Sequence, residues 1–239
     1  MRSYREPSPD SPAAQVRAKF RGVIFDMDGV LCDSEHLMAE AACEMFRQLH
    51  GVSPTPDEFR PFMGRGSQAY FGGVAARHGV QAVLPRDRDR TYEIFRAMLP
   101  GRLHPLPGAR EWILAVREAG LRTAVATSAD LIKLRAILDA IRFHLAWFDA
   151  LVDAEQVARN KPAPDVFLAA ARRLDLPPQV CLVVEDTVPG IEAARAAGMR
   201  CLGLWTTFPR EVLAAAGPDW MAPNLAEVPA DLRRELGLR

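Results

Sequence analysis

Short apolar runs alternate with helical patterns along most of the chain. The runs are continuous, as in the residues that lead to Glu185, which is typical of strands covered on both faces of a sheet. The pattern predicts strands at 21–26, 122–126, 150–152, 180–185, 200–204 and 220–221, and helices at 108–119, 131–140, 164–174 and 188–197. Strands that alternate with single helices predict right-handed βαβ units. We therefore predict an α/β fold with a parallel sheet.

Residues 34–102 interrupt this alternation. They show helical patterns at 34–50, 67–78 and 87–99, broken by glycines and prolines, and no convincing strand. We expect an all-helical lobe inserted into a core formed by residues 20–33 and 103–239. Residues 1–19 are polar and rich in proline, serine and arginine, and they lack the apolar stretch of a secretory signal. We expect them to be a disordered tail.

Composition argues against nucleic acid and membranes as partners. The 239 residues include 30 Lys+Arg and 30 Asp+Glu, so the formal net charge is zero and no global basic field attracts nucleic acid. No apolar run approaches the roughly 20 residues of a membrane span. The four cysteines contain no C-x-x-C pair, which favours reduced, packed cysteines in a reducing compartment. We expect a soluble, cytoplasmic protein with neither a nucleic-acid nor a membrane partner.

Polar residues follow four of the predicted strand regions, where ligands bind in open α/β sheets. In chain order they are Asp26 and Asp28, Thr127 and Ser128, Lys161, and Glu185 and Asp186. Each group also has a purely structural explanation. The two aspartates could form a turn or a helix cap, and the hydroxyls could cap a helix. The lysine could be exposed to solvent, and the last two acids could begin a helix. Their occurrence in order, at one strand end after another, favours a shared site.

The chemistry of this set indicates phosphoryl transfer. Converging carboxylates repel one another unless a hard cation such as Mg²⁺ neutralises them. Lys161, Thr127 and Ser128 can hold phosphate oxygens. Asp26 is then the nucleophile that forms an aspartyl-phosphate, and Asp28 is the general acid and base. The substrate we expect is a small phosphate ester.

These residues resemble the motifs of the haloacid dehalogenase-like hydrolase superfamily. The four motifs are similar to residues 25–31, Thr127, residues 161–165, and residues 185–187 with Gly190. The resemblance spans residues 20–204 and implies a Rossmann-like core with an inserted helical cap. It also implies a Mg²⁺ ion held by Asp26, the carbonyl of Asp28, Glu185 and Asp186.

Departures from the family pattern narrow the reaction. Asp28 is present, which disfavours the dehalogenases, and residues 34–102 contain no lysine for phosphonate cleavage. The chain is most similar to the β-phosphoglucomutase and phosphoglycolate phosphatase branch. The mutases of that branch carry a histidine where this chain has Met38, so we favour a phosphatase. The alternatives are a sugar-phosphate mutase and a regulatory module without catalytic activity.

The turn at 64–67 is the candidate for substrate selection. Its glycines allow close approach of the backbone, and Arg65, with Ser67 beside it, could reach a second anionic group of the substrate. The alternative is an ordinary turn between helices. Several further stretches, such as 61–64 and 166–171, are similar to the hydrolase module of chloroplast suppressor-of-quenching proteins, which implies a stromal location. We expect a monomer or a weak dimer.

Overall fold

The computed structural model describes residues 19–62 and 66–238. The expected tail at 1–19 therefore lies outside these residues except for Lys19, and so does Arg65. The described strands are β1 Gly22–Phe25, β2 Arg122–Ala126, β3 Ala150–Val152, β4 Cys181–Glu185, β5 Arg200–Leu204 and β6 Trp220–Ala222. The described α-helices are α1 Glu35–His50, α2 Ser67–Arg77, α3 Arg86–Met98, α4 Ala109–Glu118, α5 Leu131–Ala140, α6 Asp165–Arg173, α7 Val188–Ala196, α8 Arg210–Ala216 and α9 Ala230–Glu235.

The six strands form one parallel sheet in the order β3-β2-β1-β4-β5-β6. This is the Rossmann strand order, in which the direction of winding reverses between β1 and β4. The predicted α/β class, the Rossmann-like sheet and its parallel strands are confirmed. Three strands, β2, β3 and β5, have the predicted bounds, because continuous apolar runs between polar turns are a strong signal for buried parallel strands.

Apolar cores cover both faces of the sheet. Val23 and Phe25 of β1 belong to the core on one face, with α4, α5 and α9, whereas Ile24 belongs to the core on the other face, with α6, α7 and α8. This division follows from the alternation of side chains along a strand. With both faces covered, the carboxyl ends of the strands are the part of the sheet left open to a ligand.

The described residues between β1 and α4 contain helices and no strand of the sheet. Helices α1 and α3 pack on each other, and a 3₁₀ helix, Pro56–Phe62, joins α1 to the segment before α2. Phe59 of the 3₁₀ helix is fully buried, with its ring 6.1 Å from that of Phe46 and 4.8 Å from that of Tyr70. We call residues 34–102 the helical insert. These aromatic side chains form a packed core within the insert.

Two α-helices among the described residues were not predicted. Helices α8 and α9 have seven and six residues and follow Pro209 and Pro229. Each buries a single leucine, Leu213 or Leu232, so neither carries the repeated apolar spacing by which a helix is recognised in a sequence.

None of the helices in the described residues is long and apolar enough to cross a membrane.

Candidate active site

The strand register brings the first and fourth predicted groups together. Phe25 of β1 pairs with Val184 of β4, and the backbone N–H of Asp26 donates to the Val184 carbonyl at 2.9 Å. Asp26 and Glu185 therefore leave the sheet side by side. Carboxylate oxygens of Asp26, Glu185 and Asp186 all lie within 4.8 Å of one another, and all three residues are buried. We call these three residues the acidic cluster.

Lys161 joins the acidic cluster from the loop before α6. Its ammonium group donates to Oδ1 of Asp26 and, at 2.6 Å, to Oε1 of Glu185. The side chain is 7% exposed and lies 4.8 Å above the ring of Phe167. Burial alone would lower the pKa of Lys161, but the charges of Asp26 and Glu185 raise it above its ordinary value. Lys161 is therefore a fixed positive charge against the predicted nucleophile.

The acidic cluster is short of positive charge. Burial raises the pKa of Asp26 to about 7, Lys161 opposes this rise, and the charges of Glu185 and Asp28 add to it. Burial, with Glu185 and Asp26, also raises the pKa of Asp186. Three carboxylates share one ammonium group, so two negative charges stay uncompensated when all four groups are ionised.

A buried oxygen of Asp186 indicates that a metal ion fits the acidic cluster. Its Oδ1 atom is buried and has no hydrogen-bond partner among the described residues, which is costly for a carboxylate oxygen. The donors of the acidic cluster are all oxygens, which Mg²⁺ prefers. A β-carbon at Gly29 would overlap Asp186, and one at Gly190 would overlap Glu185, so both carboxylates are cradled by glycine backbone. The residues present fit a hard divalent cation.

Glu185 also organises the backbone around it. Its Oε2 atom accepts hydrogen bonds from the backbone N–H groups of Asp186 and Thr187 at 2.8 and 2.7 Å. The Thr187 side chain then caps α7 by accepting from the N–H of Gly190 at 3.1 Å. One carboxylate oxygen thus faces Lys161 while the other fixes the start of α7.

The predicted phosphate-binding hydroxyls lie at the end of β2, on the other side of β1. Thr127 is 3% exposed, and its Oγ1 atom accepts from the N–H of Ala129 at 3.1 Å, so its hydroxyl hydrogen remains to be donated. Ser128 is partly exposed. Lys161 also approaches the carbonyl of Ala126, at 3.4 Å, so the β2 end and the acidic cluster meet at this ammonium group.

Asp28 lies apart from the acidic cluster. Its Oδ1 atom accepts from the hydroxyl of Ser34, and its Oδ2 atom accepts from Lys133 at 2.8 Å. Lys133 also donates to Glu35 at 2.9 Å, in the first turn of α1. We call Asp28, Lys133 and Glu35 the bridge cluster. Of the two residues predicted in the turn at 64–67, Ser67 begins α2, and Arg65 lies outside the described residues.

Sequence reasoning did not find the roles of Ser34, Glu35 and Lys133. A signal for Lys133 was present: it lies four residues before Ile137 on α5, so a lysine occupies the apolar face of a helix. Glu35 carried no comparable signal, because an acidic residue in the first turn of a helix is ordinary.

The model for the haloacid dehalogenase-like hydrolase family matches residues 20–198, about three quarters of the chain. The chain belongs to this family. The family assignment agrees with the motifs at Asp26, Thr127, Lys161 and Glu185 and with the strand order of the sheet.

Individual relatives of this haloacid dehalogenase-like hydrolase give a consistent picture. The chloroplast protein SUPPRESSOR OF QUENCHING 1 of Arabidopsis thaliana is 41% identical over 226 residues, which are 92% of this chain but only 21% of that protein. This similarity confirms the narrower resemblance predicted from the sequence. The fructose-1-phosphate phosphatase YqaB of Escherichia coli is 35% identical over 76% of this chain and 94% of its own length.

A solved structure extends the comparison to the fold. CbbY from Rhodobacter sphaeroides, crystallised in complex with phosphate, has a TM-score of 0.76 and 29% identity and covers 87% of this chain and 96% of its own. Family membership and the phosphatase relative together identify the chain as a haloacid dehalogenase-like phosphatase.

Proposed function

We propose that this phosphatase hydrolyses a small phosphorylated sugar in a Mg²⁺-dependent reaction that passes through an aspartyl-phosphate on Asp26. The observation that carries the proposal is the meeting of the acidic cluster with Lys161, beside a buried Asp186 oxygen that lacks a partner. Phosphate bound to CbbY and the sugar phosphate named for YqaB support the substrate class.

Asp26, Glu185 and Asp186, with the carbonyl of Asp28, would hold the Mg²⁺ ion. When bound, the ion neutralises carboxylate and phosphate charge and so allows Asp26 to be ionised beside its acidic neighbours. The ammonium group of Lys161 and the hydroxyls of Thr127 and Ser128 hold the phosphate oxygens. Positioning and charge compensation of this kind account for most of the catalysis of phosphoryl transfer.

The reaction then has two displacements at phosphorus. In the first, an Asp26 oxygen forms a bond to phosphorus, the ester P–O bond breaks, and Asp28 gives a proton to the leaving alcohol oxygen. In the second, water attacks the same phosphorus, Asp28 takes a proton from that water, and the bond to Asp26 breaks. Inorganic phosphate leaves, and both aspartates return to their starting states.

We propose that the helical insert is a cap over this site and that residues 20–33 and 103–239 form the catalytic core. Glu35, in the first turn of α1, accepts from Lys133, which also donates to Asp28 directly after β1, so the insert meets the core beside a carboxyl end of the sheet. A cap in this place would exclude water during the first displacement. Arg65 and Ser67 are proposed as its substrate-selecting residues. For the compartment we propose the cytoplasm or the chloroplast stroma, the latter because of the chloroplast relative.

The test is phosphate release from a panel of phosphorylated metabolites, with Mg²⁺ and with a chelator. The panel includes fructose 1-phosphate, other sugar phosphates, phosphoglycolate and nucleotide monophosphates. We expect Mg²⁺-dependent release from sugar phosphates that is lost in Asp26→Asn. Isomerisation of glucose 1-phosphate in the presence of a bisphosphate primer, with little phosphate release, would instead indicate a mutase. Mg²⁺ binding without turnover of any compound would indicate a regulatory module.

A further inference from the structure

The bridge cluster connects three distant parts of the chain through one buried lysine. Lys133 lies in the first turn of α5, Asp28 follows β1, and Glu35 begins the first helix of the insert. The Lys133 side chain is 8% exposed, and its two ion-pair distances are 2.8 and 2.9 Å. Among the described residues, this ammonium group therefore links three parts: helix α5 of the core, Asp28 after β1, and the start of the insert.

Lys133 and Ser34 together account for both oxygens of the Asp28 carboxylate. The Ser34 hydroxyl donates to Oδ1 and the Lys133 ammonium group to Oδ2. Both donors are buried, so the carboxylate is held from two sides and its position depends on them. A general acid must lie within hydrogen-bond reach of the leaving oxygen, and a displacement of about 1 Å can cost about 100-fold in rate.

The bridge cluster is poorly explained as a stabilising contact alone. Removing an ammonium group from water is costly, and a buried ion pair is often no more stable than a well-packed apolar pair. Lys133 faces two carboxylates, so the cluster keeps one net negative charge when all its groups are ionised. An apolar residue would suit this face of α5 better, since Leu134, Ile137 and Leu138 are all buried there.

A second link between α5 and the insert does not involve Asp28. The hydroxyl of Tyr92 in α3 donates to Oδ2 of Asp130 at 2.8 Å. The other oxygen of Asp130 caps α5 by accepting from the backbone N–H of Lys133 at 2.9 Å. This contact fixes the insert on the core near the same helix turn, and it provides a control for the effect of docking alone.

We propose that Lys133 is a positioning residue that sets the carboxylate of Asp28 for proton transfer to the leaving group, and that Glu35 makes this placement depend on docking of the insert. The proposal rests on the proposed function, in which Asp28 is the general acid. It assigns Lys133 a role through Asp28 and no direct contact with the phosphoryl group.

The dependence of the rate on the leaving group separates this role from a structural one. A nitrophenolate ion departs without a proton, whereas a sugar alkoxide requires one. The second displacement, in which Asp28 takes a proton from water, is common to both substrates, so the comparison uses kcat/KM, which reports the first displacement. Loss of Lys133 is therefore expected to lower kcat/KM for a sugar phosphate far more than for p-nitrophenyl phosphate. A variant that merely loosens the fold slows both substrates alike.

The experiment measures kcat and KM for both substrates, with Mg²⁺, in wild type, Lys133→Met, Lys133→Arg and the control Tyr92→Phe. In Lys133→Met we expect kcat/KM for the sugar phosphate to fall about 100-fold, with less than about threefold change in kcat/KM for p-nitrophenyl phosphate. Lys133→Arg keeps the charge and the donors, and is expected to recover most of the loss. Tyr92→Phe is expected to change the two substrates equally.

A double-variant cycle gives a second, independent readout. In an Asp28→Asn background, Lys133→Met is expected to add little further loss, because the two residues act as a unit. If Lys133→Met does not fold, judged by its circular dichroism and melting temperature, Glu35→Gln replaces it. Glu35→Gln leaves Lys133 in place, and a smaller loss with the same substrate selectivity is expected.

Equal loss of kcat/KM on both substrates, or full additivity with Asp28→Asn, would overturn the role of Lys133 and leave the proposed function intact. Absence of hydrolysis of either substrate by wild type would overturn both. Selective loss on the sugar phosphate, restored by arginine and absent in the Asp28→Asn background, would support the positioning role.

Discussion

Gly29 lies directly against the carboxylate of Asp186. A β-carbon at this position would overlap the Asp186 Oδ2 atom and come within 2.7 Å of Oγ1 of Thr207. The backbone of Gly29 also has a left-handed conformation, with φ at +77°, and its N–H donates to the carbonyl of Cys32 at 2.7 Å. The loop after β1 and the end of β4 can therefore approach each other only with glycine at this position.

Gly29→Ala is therefore expected to displace Asp186 and to lower kcat by about 100-fold, beyond its cost in stability. Gly79→Ala is the matched control. Gly79 also has a left-handed backbone, with φ at +66°, but no atom lies within 4 Å of its added β-carbon. In both variants the left-handed backbone is expected to lower the free energy of unfolding by about 1–2 kcal/mol, which thermal unfolding measures. Equal activity in the two variants would contradict the account of the Asp186 cradle.

Binding of Mg²⁺ is expected to stabilise the protein through Asp186. A ligand present at 100 times its Kd stabilises the folded state by about 2.7 kcal/mol, which is a shift of several degrees in Tm. We expect such a shift for wild type and its loss in Asp186→Asn. The control is Asp153→Asn, since Asp153 is equally buried at the end of β3 but bonds to the N–H of Glu155. A Mg²⁺-induced shift retained by Asp186→Asn would exclude Asp186 as a ligand.

The stability of the metal-free protein is expected to depend on pH through Asp26. Burial raises the pKa of Asp26 to about 7 from an ordinary value of 3.8. Between these values the folded protein holds a proton that the unfolded chain has lost, so stability falls as the pH rises toward 7. In the presence of a chelator, Asp26→Asn is expected to raise Tm relative to wild type at pH 8. At pH 4 the rise is expected to be much smaller.

Asp231→Asn is the comparison, because stability depends on pH in the opposite direction at Asp231. The indole N–H of Trp220 donates to Asp231 at 2.9 Å and lowers the pKa of this exposed carboxyl. Its contribution to stability is present at pH 8 and is lost as the pH falls through the lowered pKa, so this variant is expected to give no rise in Tm at pH 8. A fall in Tm for Asp26→Asn at pH 8 would contradict the predicted repulsion in the acidic cluster.

The sheet and most of the acidic cluster could be predicted because both depend on local patterns. Continuous apolar runs define buried strands, and parallel strands end at one edge, so Asp26, Glu185 and Asp186 are brought together by topology alone. The bridge cluster could not be predicted in this way. It depends on contacts of Lys133 with Asp28 and Glu35, which are 105 and 98 positions away in the chain.

The apolar face of α5 illustrates the difference. Leu134, Ile137 and Leu138 are enough to predict a buried helix face, and Lys133 is compatible with that pattern as a side chain that extends to solvent. In the structure Lys133 is instead buried and donates to two carboxylates, Asp28 and Glu35, that are far from it in the chain. Short-range spacing thus predicts which residues are buried, whereas tertiary packing determines the partner of a buried charge.

The stereochemical course at phosphorus tests the central claim most directly. A sugar phosphate made chiral at phosphorus with oxygen isotopes and sulfur is hydrolysed in isotopically labelled water, and the configuration of the released thiophosphate is determined. Two displacements, first by Asp26 and then by water, predict overall retention of configuration, with turnover abolished in Asp26→Asn. Inversion would show direct attack by water and would contradict the assignment of Asp26 as the nucleophile.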